Sequence, residues 1–158
     1  MLHAMITEIL KNRHFINVAS CDLKGRPNGV SKLIVKVQAN DLYLCDYTIG
    51  RTLANLRVNP HASLSFFDVE RLKGYQINGP VEILEGGPLY EEITADLVAK
   101  EVSLATERVI RGMARGKSHG EYEMSRAKKF VFFKVKMEEI VEISYSGEIK
   151  RDSSGLPK

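Results

Sequence analysis

After residue 14 the apolar period of this 158-residue chain changes from three-and-four to two, and five short β-rich runs follow before residue 85. They are "HFINVASCD", "GVSKLIVKVQ", "LYLCDY", "HASLSFFDV" and "RLKGYQINGPVEILE". Turn formers separate most of them: "DLKGRPNG" after the first and "AND" after the second. Short alternating strands at such spacing restrict the chain to a barrel or sandwich. In the second run alternation puts Val30, Lys32, Ile34 and Lys36 on one face and Ser31, Leu33, Val35 and Val37 on the other. Gly79-Pro80 inside the fifth run predicts a bulge or an edge position.

Helical spacing marks three other segments. Leu2, Met5, Ile6, Ile9 and Leu10 predict a short amphipathic helix before the first strand. A helix over about 51–58 is stopped by Asn59-Pro60. Residues 86–116, with Pro88 suited to a first turn, predict one long helix or two shorter ones. Alternation then returns in "KKFVFFKVKMEEIVEIS", whereas "YSGEIKRDSSGLPK" has little to bury. The reading is one domain over residues 1–144 and a mobile tail over 145–158.

Composition limits the function classes. With 44% hydrophobic and 27% charged residues, the chain suits a single domain with a real core. Its 23 basic and 20 acidic residues are interspersed, so the formal charge of +3 makes no case for nucleic acid. No run of 18 apolar residues and no signal-peptide pattern is present, and a cytoplasmic protein is expected. Cys21 and Cys45 lack metal or disulfide spacing and read as small apolar strand residues. His14, His61 and His119 form no metal or triad pattern, and a structural role is expected for each.

The stretch "CDYTIGRTLANLRVNP" concentrates the chemistry. It sets a Gly-Arg-Thr step between a strand and a helix, where first-turn N–H groups lack intrahelical acceptors and the helix dipole favours an anion. Arg51 adds a planar fork and Thr52 a hydroxyl. The plainer alternative is a solvated arginine and a capping threonine. Neither a Walker loop nor a dinucleotide fingerprint occurs. Lys32 in an apolar strand calls either for an anionic partner or for escape of its ammonium to water. Arg108, Arg111 and Arg115 fall at helical steps, followed by Lys117 and His119; they make either a solvated face or a stripe that meets an anionic substrate or the ligand site of a neighbouring subunit.

Taken in order, "GRPNGVSKLIVKV", "LYLCDYTIGRTLANLRVNPHASLSFFD" and "GYQINGPVEI" resemble the pyridoxamine 5′-phosphate oxidase-like flavoproteins of the FMN-binding split-barrel superfamily. The resemblance implies a mostly β fold, an antiparallel Greek-key split barrel with a few flanking helices. It implies FMN as cofactor, with its phosphate on Arg51 and Thr52. Ser31, Lys32, Leu33 and Ile34 would line the ring and ribityl chain; Asp46, Tyr47, Thr48 and Gln76 would add contacts. A homodimer with the flavin near the subunit boundary follows, acting as an oxidoreductase on a small-molecule or protein electron donor. A non-enzymatic electron carrier or redox sensor, or a binder of deazaflavin or haem, are the alternatives the superfamily allows. The named oxidase has a C-terminal Trp and an Arg-Leu-x-Pro ending, whereas this chain has no tryptophan and ends "SSGLPK". The resemblance is therefore to the smaller FMN-binding, flavin reductase-like and stress-response members.

Overall fold

A computed structural model describes residues 2–116 and 129–153. Helix α1 (Leu2–Lys11) leads into strands β1 (Phe15–Cys21), β2 (Pro27–Gln38) and β3 (Asp41–Asp46), followed by α2 (Arg51–Val58). Strands β4 (His61–Asp68) and β5 (Lys73–Leu84) precede α3 (Pro88–Ala114), then β6 (Val131–Lys136), β7 (Glu139–Ser144) and β8 (Ile149–Asp152). The 27 residues from Pro88 to Ala114 are one helix.

Every strand pairing is antiparallel, in the order β4-β1-β2-β3-β6-β5, and a β4–β5 pairing closes the barrel. Three hairpin-linked strands with a fourth returning beside the first make a Greek key. The barrel is split along β5. One edge of β5 pairs with β6 over Val81–Leu84 and with β7 over Lys73–Asn78. Between Val81↔Val135 and Asn78↔Glu139 the β6–β7 chain carries one extra residue, a bulge. There β6 leaves toward β3 and β7 toward β8. Gly79 lies opposite this bulge, and a Cβ on it would stand 1.8 Å from the Lys136 carbonyl oxygen. Thus β5 is an interior strand, and the bulge belongs to the chain packed on Gly79.

Two apolar clusters hold the fold. Inside the barrel, Ile16, Val18, Ile34, Leu44, Leu64 and Phe133 meet Ile6 and Leu10 of α1 and Leu53 and Leu56 of α2. Because β1 begins beside α1 and ends beside α2, the two helices plug opposite ends. Each fully buried Ile or Leu of a plug contributes roughly 1.5–3 kcal/mol. Outside, Leu33, Val35, Tyr43, Cys45 and Phe132 are covered by Ile93 and Leu97 of α3.

Strict alternation along β2 fails at one place. A register shift between Ile34 and Lys36 turns Lys36 outward to Glu92 and Asp96 of α3, both at 3.0 Å, and sends Val37 to the inner cluster. The bulge reverses the faces expected beyond Val35. The segment read as a mobile tail also departs from expectation: Ile149–Asp152 pairs with β7 as β8. Its strand character was hidden because it buries little and is held by backbone pairing. No helix among the described residues is long and apolar enough to cross a membrane.

Candidate functional site

At the α2 end of the barrel, β3 delivers the chain into a four-residue loop that ends at Gly50. Ile49 sits at φ 45°, a conformation costly for a β-branched residue. Gly50 caps α2 without a side-chain hydrogen bond, while its carbonyl accepts from Ala54 N. The N–H groups of the first turn therefore point out of the helix with no intrahelical acceptor. Arg51 is exposed at the first helical position and has no ion-pair partner among the described residues. Thr52 is buried, and its Oγ1 accepts from Asn28 Nδ2 at 3.0 Å, leaving the hydroxyl proton free to donate.

Two more asparagines hold the helix in place. Asn55 Nδ2 donates to Ser20 Oγ at 3.2 Å, and Asn59 Nδ2 to the Cys21 carbonyl at 3.3 Å. With Asn28, they stitch both ends of α2 to the β1–β2 hairpin. Sequence reasoning passed over these three residues as site supports, although "NLRVNP" contains two of them at helical spacing.

Where β3 ends, Lys32 and Asp46 form a buried ion pair at 2.5 Å, with exposures of 4% and 0%. Thr48 completes it: its backbone N–H and its hydroxyl donate to the same Asp46 oxygen, Oδ1, at 3.0 and 2.7 Å. Burial alone would push the Asp46 carboxyl up, but the Lys32 ammonium and the Thr48 donors outweigh it and hold it below the usual carboxylate range. Oδ2 of Asp46 is buried with no hydrogen-bond partner among the described residues. The anionic partner that Lys32 required thus comes from the chain itself, and its ammonium does not reach water.

The remaining sequence-derived residues separate onto other surfaces. Ser31 and Gln76 lie in one row across the outer sheet face, Ser31↔Asn17, Asn17↔Ser65, Ser65↔Gln76. Ser31 donates to Asn17 Oδ1 at 2.7 Å, and Gln76 Nε2 donates to Ser63 Oγ at 2.9 Å. Small side chains on this face, among them Ala19, Gly29 and Ser65, leave a shallow recess of about 450 Å³. Leu33 packs under α3, and Ile34 belongs to the barrel interior. Tyr47 ties β3 to α3, its hydroxyl donating to Glu101 Oε1 at 2.8 Å; burial first and then that carboxylate raise its pKa. The structure therefore joins Lys32, Asp46 and Thr48 in one network, places Arg51 and Thr52 in the first turn of α2 just beyond Thr48 in the chain, and sets Ser31 and Gln76 in a separate row.

Of the second basic group, Arg108 and Arg111 are exposed on α3 and Arg115 at its C-terminal cap, with Glu107 3.8 Å from Arg111 and 3.3 Å from His14. Lys117 and His119 lie outside the described residues.

The sequence profile described as pyridoxamine 5′-phosphate oxidase matches residues 2–144. Among solved structures, HupZ of Group A Streptococcus is 24% identical with a TM-score of 0.59, covering 89% of this chain and 94% of its own. A pyridoxamine 5′-phosphate oxidase-related, FMN-binding protein of Nostoc punctiforme is 12% identical with a TM-score of 0.57, covering 99% and 94%. A haem-binding protein of Mycobacterium smegmatis is 12% identical with a TM-score of 0.64, covering 97% of this chain and 58% of its own. No curated protein matches the chain. At such identities the structural likenesses speak for the fold. The match of the family profile over nearly the whole chain, on a split barrel with an uncapped helix behind β3, makes this chain a member of the pyridoxamine 5′-phosphate oxidase family.

Proposed function

We propose that the chain is an FMN-binding oxidoreductase. The observation that carries this reading is the uncapped N-terminus of α2, which sets free backbone donors beside the Arg51 guanidinium and the Thr52 hydroxyl. That donor set fits a dianionic phosphate monoester: the helix end supplies N–H groups and dipole, and arginine supplies a bidentate fork. The orphaned Oδ2 of Asp46 fits a hydroxyl of the ribityl chain, since a buried acceptor without a donor costs roughly 1–3 kcal/mol. Lys32 would hold Asp46 ionised for that task. Ser31 and Gln76 would offer hydrogen bonds to the ring from the outer sheet face, with Thr48 at the loop. When bound, FMN supplies hydride and one-electron chemistry, and the protein orients it and excludes water.

The site would be completed by a second copy of the chain. Phe67, Ile143 and Ile149 are 51%, 42% and 57% exposed and lie in one row, Phe67↔Gly74, Gly74↔Ile143, Ile143↔Ile149, on the sheet face that carries Gln76. An apolar row of this kind favours a partner surface.

An absorbance spectrum of the purified protein, repeated after FMN addition and desalting, tests the reading. The two visible bands of oxidised flavin are expected to persist, and Arg51→Ala should weaken FMN binding about tenfold or more, as loss of charge-assisted hydrogen bonds does. A protein that takes up no flavin, or one that retains a haem Soret band instead, overturns it. Bleaching of the bound flavin by a nicotinamide donor would mark an enzyme; bleaching by dithionite alone would mark a carrier.

A further inference from the structure

Between α2 and the loop joining β1 to β2 lies a separate cavity of about 360 Å³, within the range of small-molecule sites. One wall is a single face of α2, residues 51, 54, 55 and 58, and the other is formed by Asp22, Arg26 and Pro27. Two guanidiniums thus line it against one carboxylate, and that carboxylate is already engaged. Asp22 Oδ1 accepts the backbone N–H groups of Lys24 and Arg26 at 2.9 and 3.0 Å, and Oδ2 accepts Arg26 Nε at 2.7 Å. These bonds, the Arg26 backbone N–H foremost, lower the Asp22 pKa and keep it charged. Gly25, at φ 77°, allows the turn. The loop therefore presents Arg26 by its Nε edge and leaves the terminal nitrogens, on a side chain 74% exposed, with no hydrogen bond among the described residues.

The rest of the lining is the apolar Pro27, Ala54 and Val58, the last 51% exposed, together with Asn55, whose Nδ2 donates to Ser20 Oγ. A phosphate clamp beside a small apolar floor suits a phosphorylated, flat, weakly hydrated group. We infer that this cavity receives a nucleoside 5′-phosphate unit, with its phosphate between Arg26 and Arg51 and its base on Pro27, Ala54 and Val58. Arg51 belongs to both sites, so a pyrophosphate would pass from the α2 N-terminus into the cavity. The inference rests on the flavin reading above, and extends it to a dinucleotide: either FAD in place of FMN, or the adenylate half of a nicotinamide donor.

Titration of flavin-free protein with FMN, FAD and AMP, read by flavin fluorescence and by NMR shifts of the Val58 methyls, separates the cases. FAD is expected to bind at least as tightly as FMN, and Arg26→Gln should lower the FAD-to-FMN affinity ratio about tenfold, the loss of one charged hydrogen-bond pair. AMP should shift Val58 saturably in the wild type and about tenfold more weakly in Arg26→Gln. If FAD binds no better than FMN while NADH shifts Val58 in the FMN-loaded protein in an Arg26-dependent manner, the unit belongs to the donor, and the inference stands. If no flavin binds but AMP still shifts Val58 through Arg26, the flavin reading fails and the nucleotide site stands. Absence of any Arg26-dependent shift by AMP, FAD or NADH overturns the inference.

Discussion

Asp46 receives three donors on one oxygen while buried at 0% exposure, and Lys32 is its only cationic partner among the described residues. A buried pair adds little net stability over an apolar pair, but removal of one member leaves an uncompensated charge. Lys32→Met is therefore expected to lower unfolding stability by about 3–5 kcal/mol in urea titration, and Lys32→Met/Asp46→Leu to recover most of the loss. A double variant no more stable than the single one would show that the charge is not the cause. The pH dependence has a fixed sign. The folded pKa of Asp46 lies below its unfolded value of about 3.9, so its contribution is fully present above that value and is lost as pH falls through the folded one. Urea midpoints measured from neutral pH down to pH 2 should fall more steeply for the wild type than for the double variant. Lys32 stood out in the sequence as a charge in an apolar strand, yet its partner lay 14 residues away in an adjacent strand. Only the β2–β3 register brings them to 2.5 Å.

At the scale of elements, α2 does two tasks with opposite faces. Leu53 and Leu56 plug the barrel, while the Arg51 end remains uncapped. Eight residues are too few for a stable isolated helix, so the position of its N-terminus depends on the asparagine stitches. Asn28→Ala and Asn55→Ala should each cost about 1 kcal/mol and speed amide hydrogen exchange over residues 51–58 relative to β1. FMN affinity should fall with them, and faster exchange with unchanged affinity would uncouple the helix from the site. The helix itself was legible from its apolar spacing and Asn59-Pro60 stop. What the sequence could not display is that Thr52 faces inward to Asn28, since helix spacing gives relative and not absolute orientation.

For the whole molecule, the sheet beyond β5 carries the exposed apolar row on which the proposed dimer rests. The outer row Phe67, Ile143 and Ile149 crosses from the barrel onto β7 and β8, and these strands exist as a sheet only because β6–β7 bulges past Gly79. Phe67→Glu is expected to convert a dimer to a monomer in sedimentation velocity while leaving the circular dichroism spectrum intact, because the side chain is half exposed and outside both clusters. A wild type already monomeric at tens of micromolar would refute the partner surface. The same scale explains why the ten residues drawn from the resemblance fall on different surfaces. Neighbours along a strand alternate faces, so Ser31, Lys32, Leu33 and Ile34 go to the outer face, the ion pair, the α3 interface and the barrel interior.

Local matters are written in the residues themselves: strands of period two, helices of period 3.6, the Asn-Pro stop and the Gly-Arg-Thr step at a helix start. These depend on interactions within a few residues of one another. Tertiary structure alone decided which charge is buried against which, where β5 exchanges β6 for β7, that Ile149–Asp152 is a strand, and which face Lys36 takes. Each of those depends on contacts between segments far apart in the chain, and a single inserted residue at a bulge reverses the outcome.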